Sequence, residues 1–156
     1  MKKILSIALF AITLSVQAEP NSVGTQLSSF SLQDQFDVKQ TVDENTRLIL
    51  FARDMDGNAV LKEAMTDKSA DYLSQKKAAY VTDISGMPRV IAFLFGKPKM
   101  RKYPYPMLLD AEPMETKDFP AHEGEATLIQ LDHLKIKSIQ FTKKTEDVVK
   151  ALDALQ

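Results

Sequence analysis

A chain of 156 residues carries 20 Lys and Arg against 21 Asp and Glu, a formal net charge of −1, and contains no cysteine. The missing sulfur excludes disulfide exchange, thiol-peroxidase turnover and thiolate metal ligation, since each needs a thiolate as nucleophile or ligand. The slightly acidic balance argues against nucleic-acid binding, whose affinity comes largely from neutralised phosphates.

The N-terminus carries Lys2 and Lys3, then an apolar run from Ile4 to Val16 broken by Ser6, Thr13 and Ser15, then Val16-Gln17-Ala18. A positive end, a short apolar core and a small-residue exit predict a signal peptide over 1–18, cleaved after Ala18. The apolar stretch, about 13 residues, is shorter than the roughly 20 that a membrane-spanning helix needs. No cysteine follows Ala18, which excludes a lipid-modified N-terminus. Residues 19–156 have the size of one domain, enough for a core without a metal or disulfide staple. Losing Lys2 and Lys3 moves the net charge from −1 to −3. No later apolar run is long enough to span a membrane. The mature protein is expected in the periplasm or secreted.

Residues 19–27 read as a loose start with Pro20, Asn21 and Gly24. Ser28 to Leu32 alternates as a half-exposed strand. Gln33-Asp34-Gln35 is predicted to turn the chain, and Phe36-Asp37-Val38 to return as a second edge strand. Arg47 to Ala52 is a continuous apolar run, the signature of a strand covered on both faces. After the turn Arg53 to Asn58, the residues Val60, Leu61, Ala64 and Met65 recur at helical spacing. Tyr72 and Leu73 follow beyond a polar gap, where Thr66-Asp67 looks like an N-cap; two short helices or one kinked one are expected. Ala78 to Ile84 is a second β-rich run. Ser85 is predicted to cap a further helix, with Pro88 near its first turn, Val90, Ile91, Leu94 and Phe95 on its buried side, and Gly96 as its stop. Lys97 to Pro106 reads as a basic, proline-broken loop, and Met107-Leu108-Leu109 as a short strand. A polar connection, 111–125, leads to the strand Ala126 to Leu131. Asp132-His133 then turns the chain into Ile136 to Phe141. Thr145 is predicted to cap a last helix with Val148, Val149, Leu152 and Leu155 along one stripe. Strands interleaved with helices, then a hairpin and a helix, call for an α/β fold with a mixed sheet and helices on both faces.

Three stretches carry a family resemblance. Val23-Gly24-Thr25-Gln26-Leu27 through Phe30-Ser31-Leu32-Gln33-Asp34-Gln35 resembles the G-x-x-x-P-x-F-x-L-x-D opening of peroxiredoxins and periplasmic thiol-disulfide proteins, without its proline. Tyr105-Pro106-Met107-Leu108-Leu109-Asp110 is similar to their P-x-L-x-D strand. The hairpin at 126–141 with the final helix resembles their closing elements. The resemblance implies a thioredoxin-like three-layer sandwich. It also sets Met55-Asp56-Gly57-Asn58-Ala59 where that family carries W-C-G-P-C, so that Asp56 and Ala59 stand in place of the two thiols. The position of the family's cis-proline falls to Ala126 or Glu125. The redox devices are absent together, and a fold does not by itself imply a function.

Four constellations remain. Asp54, Asp56 and Asn58 around Gly57 either ligate a cation through oxygens or start a helix, with Asp56 or Asn58 as the cap. His122, Glu123 and Glu125, with His133, either hold a metal or form a solvated loop. Met87, Met100, Met107 and Met114 either bind a soft cation or fill core gaps. Lys97, Lys99, Arg101 and Lys102 with Tyr103 and Tyr105 either grip an anionic partner or form a solvated loop. Five glycines, at 24, 57, 86, 96 and 124, build no nucleotide-cradling loop, and no nucleophile elbow is present. The expected function is non-catalytic binding, without a cofactor, of a protein or an anionic surface. The contact surface would combine 97–106 with the loop after the central strand. The alternative is a cysteine-independent enzyme or metal carrier using Asp54 and Asp56.

Overall fold

In the computed structural model, which describes residues 19–155, a seven-stranded sheet in the order β2-β1-β5-β4-β3-β6-β7 organises the chain. The expected signal peptide lies outside the described residues. The strands are β1 (Phe30–Asp34), β2 (Lys39–Val42), β3 (Leu48–Ala52), β4 (Ala78–Asp83), β5 (Leu108–Asp110), β6 (Ala126–Asp132) and β7 (Lys135–Thr142). The central three, β5-β4-β3, run parallel, and antiparallel hairpins extend both edges, so the sheet is mixed.

Every residue of β3 is buried, as the uninterrupted apolar run requires. Its pleat sorts them between two cores. Leu48, Leu50 and Ala52 meet Leu61, Ala64 and Leu73 from helices α1 (Met55–Ala64) and α2 (Tyr72–Gln75), and Val148 and Leu152 from α5 (Thr145–Asp153). Ile49 and Phe51 meet Phe30, Val81, Ile129 and Phe119 on the other face. Phe119, from the 111–125 connection, meets Phe51 and Phe30 edge-on at 5.2 and 5.8 Å. Each such side chain removed from water stabilises the fold by about 1.5–3 kcal/mol.

Several boundaries differ from expectation for identifiable reasons. The second edge strand is Lys39–Val42, not 36–38. The buried carboxylate of Asp34 accepts hydrogen bonds from the Phe36 and Val38 amides at 2.8 and 3.0 Å, which folds Gln35 to Asp37 into the turn, with Asp37 at φ 64°. Helix α1 is capped by Asp54, not by Asp56 or Asn58. Two short helices form, but Asp67 ends the first excursion at φ 62° and the N-cap of α2 is Asp71. Thr145 is the first residue of α5 rather than its cap. Its hydroxyl donates to Glu63 of α1 at 3.0 Å, while Thr142 accepts the Lys144 amide.

The largest departure is the segment 89–100. Ser85 does not cap it; the Ser85 amide donates to Asp83 in the preceding turn. The helix begins as α3 (Arg89–Ile91), widens to a π-helical turn (Ala92–Gly96), passes through Gly96, and continues as α4 (Lys97–Met100). Lys97 to Met100 is therefore helical rather than an open loop. Val90, Ile91, Leu94 and Phe95, expected on the buried side, are exposed together with Phe93, and only Ala92 is buried. Six apolar residues in succession, 90–95, leave no polar face from which periodicity could assign an orientation. Gly96 does not stop the helix but makes room for a side chain: a Cβ there would stand 3.0 Å from the Met87 sulfur.

Gly57 is required for a different reason. A Cβ at Gly57 would be driven into the Glu125 carbonyl, 2.8 Å from its carbon. Gly57→Ala is expected to destabilise the protein by about 1–3 kcal/mol, because backbone rather than a movable side chain must yield. Gly86→Ala, with nothing within 4 Å of the added carbon, should stay within about 0.5 kcal/mol of wild type. Urea midpoints of the two variants check the contrast.

Candidate functional site

The carboxyl ends of β3 and β4 open on a cavity of about 440 Å³, the place where α/β sheets gather ligand sites. Its apolar wall is Met55, Ile84, Met87, Pro88 and Met100; Arg53, Asp54 and Asn58 contribute its polar edge. Met100 lies in α4 and Met55 opens α1, so helix 89–100 and the loop after the central strand meet here.

Asp54 is a brace. One carboxylate oxygen accepts the Gly57 amide at 2.8 Å and caps α1; the other accepts the Gly124 amide at 2.7 Å and holds the loop before β6. Asp56, beside it, is exposed, as is Ala59. Asn58 is turned inward, where its carbonyl groups accept the Tyr80 hydroxyl. Ala126 is fully buried at the start of β6, behind Gly57. Among the described residues no group of three or more His, Asp or Glu is arranged to hold a metal. His122 stacks on Phe141 at 3.7 Å and pairs with Glu125, whereas His133 pairs with Asp132 at the opposite end of the hairpin. The four methionines do not meet at one point either. Met87 and Met100 share the cavity with Met55, Met107 is in the core, and Met114 is exposed.

The basic cluster divides in two. Asp37 in the β1–β2 turn binds both Lys97 and Arg101, the latter at 2.9 Å, and the Arg101 Nε donates to the Gln35 carbonyl. The buried Gln35 amide donates to the Tyr105 carbonyl and accepts the Met107 amide, each at 2.8 Å. Lys97 and Arg101 thus form an internal clamp. Lys99 and Lys102 remain exposed. Tyr105, expected as a contact residue, is buried instead; it stacks between Tyr103 and Tyr80 with centroids 5.8 and 6.0 Å apart. Burial pushes the Tyr105 hydroxyl up to about 12 and the Tyr80 hydroxyl well above its usual range.

Sequence reasoning missed the clamp and the cavity. Asp37 and Gln35 lie some sixty to seventy positions from their partners, a separation at which no local pattern operates. Met55 offered one signal, as an apolar residue in an otherwise polar turn.

No family model matches the chain, and no curated protein is similar to it in sequence. Solved structures do share its fold. A peroxidoxin from Mycobacterium tuberculosis superposes with a TM-score of 0.53 at 16% identity, over 86% of this chain and 97% of that one. The thioredoxin domain of a thiol-disulfide oxidoreductase from Bacteroides vulgatus gives 0.53 at 11% identity, over 85% and 96%. A peroxiredoxin-like protein from Aquifex aeolicus gives 0.53 at 10% identity, over 89% and 90%. The chain has a thioredoxin-like α/β fold and no cysteine with which to perform thiol chemistry.

Two outcomes follow from the tyrosines and the clamp. The Tyr105 hydroxyl is the only buried side-chain polar atom among the described residues without a hydrogen-bond partner. Tyr105→Phe is therefore expected to stabilise the protein by about 1 kcal/mol, whereas Tyr80→Phe, which orphans the Asn58 acceptor, destabilises by about 1–2 kcal/mol; melting curves give the two signs.

The Asp37 carboxyl is held below its ordinary value of 3.8, first by the Lys97 hydrogen bond and charge and then by Arg101. A depressed carboxyl contributes stability above its unfolded-state value and loses it as pH falls through the folded one. The protection factors of the amides of 97–107, taken against the intrinsic exchange rate at each pH, should fall once pH drops below 3.8, and Asp37→Asn should reproduce this at neutral pH without loosening the sheet.

Proposed function

We propose that the chain is an exported, non-catalytic binding protein that holds a protein partner or an anionic surface at the carboxyl end of β3 and β4. The observation that carries this reading is the replacement of chemistry by contact surface. The positions matching the family's thiols are occupied by an exposed carboxylate and an exposed methyl group, Asp56 and Ala59, beside an apolar-walled cavity. Pockets of mainly apolar lining with a few polar groups are suited to binding. The contact surface is Met55, the cavity rim and the free lysines Lys99 and Lys102, rather than the whole run 97–106.

The alternative, a metal carrier or enzyme built on Asp54 and Asp56, has weaker support. Asp54 has both oxygens engaged by backbone amides, and a lone Asp56 falls far short of the six to eight oxygens that a calcium ion takes.

Export predicts a mature chain starting at Glu19, read by N-terminal sequencing of protein from the extracytoplasmic fraction. A photo-crosslinking residue at position 55 should give discrete adducts in intact cells, and one at Lys137 on the far edge strand should give none. Equal labelling from both positions would remove the assigned surface.

A further inference from the structure

Helix 89–100 presents Val90, Ile91, Phe93, Leu94 and Phe95 at 66, 44, 71, 55 and 65% exposure, with Ala92 the one buried residue of that stretch. Ala92 faces inward and the other five side chains spread over the outer side of the helix. Met87 and Pro88 before the helix and Met100 at its end line the cavity, while the five apolar residues form an exposed ridge between them. Charge frames the ridge. From Arg89 to Lys102 there are five cations and no carboxylate. Only Asp37, paired to Lys97 and Arg101, and Glu112, paired to Arg89, reach this segment among the described ion pairs. The local surplus is positive, and Lys99 and Lys102 carry it unpaired.

We infer that this ridge docks the protein on an anionic phospholipid surface, with the five apolar side chains entering the headgroup and acyl boundary and the lysines meeting lipid phosphates. The inference rests on the binding reading above and names its anionic partner. Interfacial helices bury an apolar face at the headgroup and acyl boundary while their cationic side chains meet the lipid charge. Aliphatic and aromatic side chains flanked by Lys and Arg are the composition of such segments. A second copy of the chain fits less well. A stable two-fold dimer buries about 800 Å² per partner over some 20–30 residues a side, far beyond this ridge, and a two-fold contact would bring like-charged lysines together.

The test is co-sedimentation of the mature chain with vesicles of mixed phosphatidylglycerol and phosphatidylcholine, and with vesicles of phosphatidylcholine alone. Expected is binding to the anionic vesicles at least tenfold above the neutral ones, weakened severalfold by 0.5 M salt, an ionic strength that shortens the screening length to about 4 Å. The double substitution Phe93→Ser, Phe95→Ser should lower binding tenfold or more with an unchanged melting temperature, because both rings are already in water. Lys99→Glu with Lys102→Glu should abolish the preference for anionic lipid. Three results would each overturn the inference: no vesicle binding by the wild-type chain; binding that the lysine changes abolish but the phenylalanine changes leave intact, which marks a simple anion site; or a concentration-dependent dimer dissolved by the phenylalanine changes in a chain that ignores vesicles. Adducts from position 55 together with absent vesicle binding would spare the binding reading and remove only this one.

Discussion

The start of α1 can lie against the start of β6 only because residue 57 has no side chain and the Asp54 carboxylate offers an oxygen to each side. Without a Cβ, the Gly57 backbone closes onto the Glu125 carbonyl, and Asp54 then spans the junction by accepting one amide from each side. This contact fixes the angle of α1 on the sheet, and with it the place of Leu61 and Ala64 in the core and of Met55 and Asn58 beside the cavity.

The same junction limits what the site can do. A carboxylate acts as a base or ligand through lone pairs left free, and those of Asp54 point at amides. Asn58 is tied to Tyr80, and Tyr80 is stacked in a column with Tyr105 and Tyr103. The polar groups behind the rim therefore serve to hold the fold rigid, and Asp56 alone projects into solvent without a partner. What remains for a ligand to meet is mostly apolar: Met55, Met87, Pro88 and Met100, with unbranched methionine suited to surfaces that adapt to shape.

Legibility in the sequence followed the range of the interaction. The doubly buried run at 48–52, the amphipathic stripe of α5 and the closing hairpin are set by periodicity and by turns of two residues, so they could be read directly. Even there a detail escaped, since His133 and Leu134 both take positive φ to make the tight turn, which their identities do not announce. The clamp of Asp37 and Gln35 on 97–107 is long-range and left no local trace. Helix 89–100 escapes sequence reading for a third reason. An all-apolar stretch is ordinarily buried, but the core against which its end residue Met100 packs is already filled by residues of α1, α2 and α5 together with Tyr80, Tyr105 and Met107.

That filled core bears on why the ridge stays outside. A sheet face left open would have drawn five apolar side chains inward, because burying them is the strongest local driving force available. With α1, α2, α5, Tyr105 and Met107 already in place, inward rotation would displace well-packed residues to bury others of similar size, for little net gain. The Asp37 clamp works in the same sense. By holding Lys97 and Arg101 it fixes the far end of the helix and so the direction in which its outer face points. Two of the cations in 97–102 are engaged in orienting the helix, and the other two, Lys99 and Lys102, are exposed one to two turns beyond its apolar residues.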